Sequence, residues 1–507
     1  MYTFSSKLKT LSFVLMVLGL LGIGYGFLNA PKNTKDVETI LASAHGKHGE
    51  SETAKSHATK SNDENTSHEN KTAATSANHD EINHEAEVKI TESKDTTAKQ
   101  AQNLAAIAEQ VEENHVASVE KHKDNHESNA HTTSTNDEHA EHVEHVFHQL
   151  TNKPWAALYV AALFFMLISL GVLTFYAIQH AAQAGWSPIL FRIMEALTSY
   201  LVPGAIIVFV ILVLSSFQLN HLFTWMDPEV VAEDKLIQGK SGYLNVPFFL
   251  IRALIFMGGW IFYRQYTRKN SLAMDDTMDA GYYKKNFKAS AAYLAFFLVS
   301  ESMMSWDWIM SVDPHWYSTL FGWYVFASFF VSGITVIALT TLYLKSQGYL
   351  EYVNNSHFHD LAKFMFGISV FWTYLWFSQF MLMWYANIPE EVTYYKFRIE
   401  HYNLPFFGMV VMNFVFPILI LINSDFKRVP WIISMAGIVI LCGHYLDFHN
   451  MIFPATVGDQ WFIGVSEISS ILFFAGLFIF VVFTTLAKHP LVPKGNPLIE
   501  ESKHFHY

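Results

Sequence analysis

The chain has 507 residues, of which 51% are apolar, 16% aromatic and only 15% charged, with a formal net charge of −12. That balance is too apolar for an ordinary soluble protein and lacks the basic surface a nucleic-acid partner would need. The single cysteine, Cys442, excludes a disulfide framework, a Cys-ligated zinc site and an iron–sulfur cluster held by this chain alone.

Ten stretches approach the roughly 20 mostly apolar residues that a bilayer crossing requires. They lie near 10–29, 156–178, 199–221, 246–264, 288–310, 319–344, 362–387, 404–423, 430–447 and 463–487. The expected fold class is an all-α integral membrane protein of about ten transmembrane helices. Lys7 and Lys9 precede the first stretch as in a signal peptide, but its apolar run reaches Leu28, and Leu28-Asn29-Ala30 is a poor cleavage site. Residues 1–29 therefore read as a retained helix.

Residues 30–153 form a different material. They contain 23 Asp/Glu, 12 Lys, 14 of the 25 His and one aromatic, Phe147, so this tract alone carries −11 of the net charge. Such a composition buries too little apolar area to offset chain entropy and reads as a disordered linker. Within it, Leu104, Ile107, Val111 and Val119 have near-helical spacing over 99–120, which suits either a docking helix or a transient one. His139, His142, His145 and His148 recur in steps of three, a pattern open to loose metal binding or to a solvated spacer.

Lys/Arg counts set the expected orientation. With the N-terminus inside, sixteen fall on the inner side and four (Lys235, Lys240, Lys396 and Arg398) in the outer short loops. Both termini, including a tail at 488–507, are then cytoplasmic and the linker is periplasmic.

An internal repeat divides the rest. Asn245-Val246-Pro247-Phe248-Phe249 opens the fourth stretch, and Asn403-Leu404-Pro405-Phe406-Phe407 opens the eighth. Trp225 with Pro228-Glu229 precedes the first motif, and Trp384 with Pro389-Glu390 the second. The fifth stretch ends in Asp307, Asp313 and His315, and the ninth in His444, Asp447 and His449. Three matches in register point to two parallel four-helix bundles, helices 2–5 and 6–9, flanked by helices 1 and 10. The resulting domains are 154–350, which holds the first bundle, and 351–487.

Ionisable groups at membrane depth default to functional candidates. Arg252 lies two turns into helix 4, where an ion pair with Glu301 would satisfy it. Glu301 sits mid-helix among Ser300, Ser302 and Ser305, and Asp307 follows six residues later on a different face. His444 and Asp447 share a face at i and i+3, and Glu467 lies one turn into helix 10. Linked by water or hydroxyls, such groups could pass protons; each could also be an ion pair, a helix cap or a polar anchor. Outside the linker only His444 falls within an expected helix, so a bis-histidine haem is not expected. Trp225, Trp306, Trp308, Trp316, Trp323, Trp376, Trp384 and Tyr385 gather at the outer ends as an interfacial belt, where a quinone ring could also stack.

Two runs are long and distinctive: Trp306-Asp307-Trp308-Ile309-Met310-Ser311-Val312-Asp313-Pro314-His315-Trp316-Tyr317-Ser318-Thr319, and Phe371-Trp372-Thr373-Tyr374-Leu375-Trp376-Phe377-Ser378-Gln379-Phe380, continuing to Trp384-Tyr385-Ala386-Asn387-Ile388-Pro389-Glu390-Glu391. Over roughly 154–490 the chain resembles the F-type membrane subunits of bacterial alternative complex III, members of the polysulfide reductase membrane-subunit (NrfD-like) family. The histidine-rich insert has no counterpart in the family core. The resemblance implies a subunit of a quinol:electron-acceptor oxidoreductase in the bacterial inner membrane. It implies a sister NrfD-like subunit, a periplasmic iron–sulfur subunit, haem c subunits and a terminal oxidase as partners. Quinone or menaquinone, haem c and iron–sulfur clusters would be held by those partners, with no cofactor on this chain. The matched candidates are Glu301, Asp307, Asp313 and His315 in the first bundle, with His444 and Asp447 in the second. A stand-alone secondary transporter and a metal-sensing membrane protein are the alternatives.

Overall fold

In lipid a lone apolar segment can satisfy its N–H and C=O groups only by coiling into a helix, and this chain follows that rule. A computed structural model describes residues 2–38, 133–459 and 461–506, and every regular element among them is helical. Ten long helices form the frame: α1 (Ser6–Asn29), α2 (Thr133–Ala181), α3 (Pro188–Ser216), α4 (Val246–Thr277), α5 (Gly281–Trp308), α6 (Phe321–Ser346), α7 (Asn355–Ala386), α8 (Asn403–Leu421), α9 (Pro430–Val457) and α10 (Val465–Leu486). Among the described residues nine helices are long and apolar enough to cross a membrane. The one expected span outside that set is α5, whose 28 residues include Lys284, Lys285, Lys288, Glu301 and Asp307. The chain is an all-α, multi-pass integral membrane protein.

Two compact units are present, Met1–Asn33 with Val146–Tyr507, and Thr34–His145. Of the second, only 34–38 and 133–145 are described, both helical. The 99–120 segment and the side chains of His139, His142 and His145 lie outside the described residues. Several expected boundaries move. Helix α2 starts at Thr133 rather than near 156, since hydropathy sees only the apolar part of a longer helix. Helix α3 begins at Pro188, not 199, and ends at Ser216. Helix α9 continues ten residues past Asp447, to Val457, and so buries His449 within it. The segment before α8 is no plain loop: Pro389–His401 is a helix.

Small residues set the closest helix approaches, as expected where no hydrophobic effect drives packing. Helix α1 runs antiparallel along α10, and Tyr2 contacts Tyr349 and Phe483, so both chain ends lie at one end of the molecule. A Cβ at Gly19 would stand 2.4 Å from the Phe473 backbone N, and at Gly26 2.2 Å from Ser466 Oγ. Helices α2 and α6 cross as tightly, with a Cβ at Gly171 reaching within 2.6 Å of the Phe329 carbonyl oxygen. That crossing joins two groups. In α2–α5, Tyr159 Oη donates to the Trp308 carbonyl at 2.8 Å, and Trp260 Nε1 to Ser300 Oγ at 3.0 Å. In α6–α9, side chains of α6, α7 and α8 converge on α9, as described next.

Candidate functional site

In the first group the end of α5 presents Asp307 to Arg252 on α4. Asn245 caps α4 by accepting from the Phe248 N–H, which fixes the helix start two turns below Arg252. Arg252 Nε donates to Asp307 Oδ2 at 2.6 Å and Nη2 to Oδ1 at 3.0 Å, and Nη1 donates to the Tyr243 carbonyl at 3.2 Å. The guanidinium lies between the Tyr243 and Phe248 rings, 4.0 and 4.2 Å from their centroids. This bidentate, aromatic-clamped pair corrects the expected pairing of Arg252 with Glu301. Glu301, buried one and a half turns deeper, has only hydroxyl donors among the described residues: Ser305 Oγ at 3.0 Å and Ser302 Oγ at 3.4 Å.

Beyond Asp307 the chain leaves the helical frame. His315 Nε2 meets Asp234 Oδ2 at 2.5 Å at an exposed position. Asp234 also accepts from the Ile237 and Leu236 N–H groups, and Ile237 first, then His315, hold its carboxyl below the usual value. Asp313 and Lys240 border a cavity of about 380 Å³ walled by Trp306, Met310 and Tyr317. Burial lowers the Lys240 ammonium, opposed by Asp313 and Asp234.

The second group holds its acid differently. Asp447 on α9 accepts from Tyr324 Oη on α6 and from Trp372 Nε1 on α7, the latter at 2.8 Å. His444 Nδ1 lies 2.9 Å from Ser328 Oγ, 3.4 Å from Asn413 Nδ2 and 3.6 Å from Asp447 Oδ2. His444 Nε2 meets no partner among the described residues. Asp447, His444 and Asn413 are each 0% exposed, so all four helices close over one polar cluster. Asn413 reaches it because α8 widens into a π turn at Val411–Val415, where the Phe416 N–H bonds the Val411 carbonyl. The cause is local: Pro417 has no N–H for the Asn413 carbonyl four residues back. Gly443 makes room, since a Cβ there would stand 2.1 Å from Asn413 Oδ1.

Three other features depart from the sequence expectations. Arg398, expected in an outer loop, is buried, stacks on Tyr394 at 3.3 Å, and donates to the Tyr394, Asn450 and Met451 carbonyls. At the end carrying the termini, buried Glu195 accepts from Arg192 Nη1 at 2.7 Å, from Tyr176 Oη at 3.0 Å and from Arg268. Arg192 also reaches Asp275 at 2.5 Å, which takes the Lys494 and Gly495 N–H groups of the tail. The signal for this cluster was Arg192 and Glu195 at i and i+3. The tryptophan belt is mixed: Trp384 is 69% exposed, whereas Trp308 and Trp316 are buried, and Trp316 stacks on Tyr394 at 3.8 Å, tying the two groups together at the end away from the termini.

Glu467 closes the first turn of α10 by accepting from the Gly464 N–H at 2.7 Å, and its Oε1 has no partner among the described residues. His449 stacks on Phe453 at 3.8 Å, a second histidine inside α9 five residues from His444 and so on another face. No protein-family model matches the chain, and no curated protein matches its sequence.

Proposed function

We propose that this chain is an integral membrane subunit of a respiratory quinol:electron-acceptor oxidoreductase, in the bacterial inner membrane with both termini cytoplasmic. In this reading it carries no redox cofactor. Quinol oxidation and electron transfer belong to partners: a sister NrfD-like subunit, an iron–sulfur subunit, haem c subunits and a terminal oxidase. This chain supplies bilayer scaffolding and a proton path.

The observation that carries the proton path is the buried cluster on α9. Among the described residues Asp447 accepts from neutral donors and pairs with no lysine or arginine, so the mobile charge that can balance it is a proton. His444 Nδ1 lies within reach of both Asp447 and the Ser328 hydroxyl, and an imidazole can take up or release a proton near neutral pH. Glu301, served only by serines, offers a similar stop in the first group. Arg252–Asp307 is a pair with its countercharge built in, and in this reading it holds the bundle rather than passing protons.

Purification from native membranes tests the subunit assignment: the chain should bring haem c absorbance with it, and isolation as a monodisperse, active single chain would overturn the assignment in favour of a transporter. Deleting 45–148 addresses the metal-sensing alternative. Quinol oxidation nearly intact in the deletion is expected; its loss together with a metal response would favour that alternative.

A further inference from the structure

We propose that the lipid-facing groove between α4 and α5 is a binding site for an anionic phospholipid, with the headgroup phosphate at Lys285 and Lys288. The groove encloses about 500 Å³. Its floor is the stacked pair Tyr263 and Tyr293, whose ring centroids are 4.0 Å apart. Their hydroxyls are tied down, to Ser290 Oγ at 2.7 Å and Thr174 Oγ1 at 3.3 Å, so the floor is a fixed apolar surface. Gly259 opens the deep end, where a side chain would collide with the Phe296 ring. Phe262, 71% exposed, forms a rim that only lipid or a ligand would cover.

The order of groups along the groove matches a phospholipid. Lys285 and Lys288 occupy the first turns of α5 and are exposed, and neither makes an ion pair among the described residues. The Lys285 ammonium rests 4.6 Å above the Tyr282 ring. In the adjoining turn Asp275 is engaged by Arg192 and Asp279 accepts from the Gly281 N–H, while Asp276 is exposed. From Lys288 to Phe296 the helix rises about 12 Å, close to the depth of one hydrocarbon leaflet. Two cations at the headgroup level above an apolar slot of that length are complementary to one phosphate with an acyl chain. A zwitterionic lipid would bring its own ammonium toward the same lysines.

Native mass spectrometry of the delipidated full chain, titrated with dioleoylphosphatidylglycerol or dioleoylphosphatidylcholine, tests the site. The phosphatidylglycerol adduct should be retained about 25-fold more strongly, each lysine contributing about fivefold. The Lys285→Ala/Lys288→Ala variant should lose that preference, and Lys285→Arg/Lys288→Arg should keep it. Ala292→Phe, which fills the exposed wall of the slot without changing charge, should weaken binding of both lipids. Equal retention of the two lipids by the unaltered chain would overturn the proposal. So would an intact preference in the double-alanine variant, unaffected binding in Ala292→Phe, or displacement of the lipid by millimolar inorganic phosphate.

Discussion

In the first helix group the buried acid Asp307 faces an arginine; in the second, Asp447 faces a phenol and an indole. Both acids are 0% exposed and each closes its group at α5 or α9, the fourth helix. The difference lies in what balances the charge. A bidentate guanidinium is permanent, so Asp307 is locked in a structural pair. Hydroxyl, indole and amide donors carry no net charge, which leaves Asp447 and His444 as groups whose charge can change. Even Arg398, buried in the second group, is spent on carbonyls rather than on an acid.

The largest expected effect separates the two acids. Removing Arg252 as Arg252→Leu should cost about 3–5 kcal/mol, because Asp307 is left buried and unpaired. Thermal unfolding of the purified chain measures this, and Arg252→Leu/Asp307→Leu should recover much of the loss. Asp447→Asn should cost only about 1 kcal/mol, since one oxygen still accepts while the amide meets a donor. Equal losses would erase the distinction.

A smaller effect tests how the frame is held. Gly19→Leu should destabilise the α1–α10 contact by about 1–3 kcal/mol, by forcing a side chain into the Phe473 backbone. Gly24→Leu is its control, since a Cβ there meets nothing within 4 Å. In the second group, Gly443→Ala should push Asn413 away from His444 at a cost of about 1–2 kcal/mol. Gly408→Ala on the same helix as Asn413 meets nothing and should be neutral or slightly stabilising. The smallest effect is at the rim of the first group. Asp234's carboxyl is lowered in the folded chain, so the support it gives the 228–240 segment is present above the ordinary carboxyl pKa of about 4. That support is lost as pH falls through the lowered value. Hydrogen exchange of this segment should therefore quicken only in strong acid, and Asp234→Ala should abolish that dependence.

Hydropathy made most of the frame legible, because a spanning helix announces itself by length alone. It failed where polar residues satisfy one another out of sequence range. Arg192 and Glu195 look like loop residues until Arg268 and Asp275 are brought beside them, which is why α3 begins eleven residues earlier than expected. Likewise α9 was cut short at Asp447, although the polar residues beyond it are buried. The pairing of His444 with Asp447 could be read from their spacing. Their neutral partners could not, since Tyr324, Trp372 and Asn413 come from three other helices. For Asn413 a cue existed in Pro417, whose missing N–H permits the π turn.

Proton translocation per electron by the proposed quinol-oxidising complex, purified with this chain and reconstituted, tests the central claim most directly. Asp447→Asn should lower that ratio while quinol oxidation and haem reduction continue. An unchanged ratio in Asp447→Asn, with electron transfer intact, would contradict a proton path through α9.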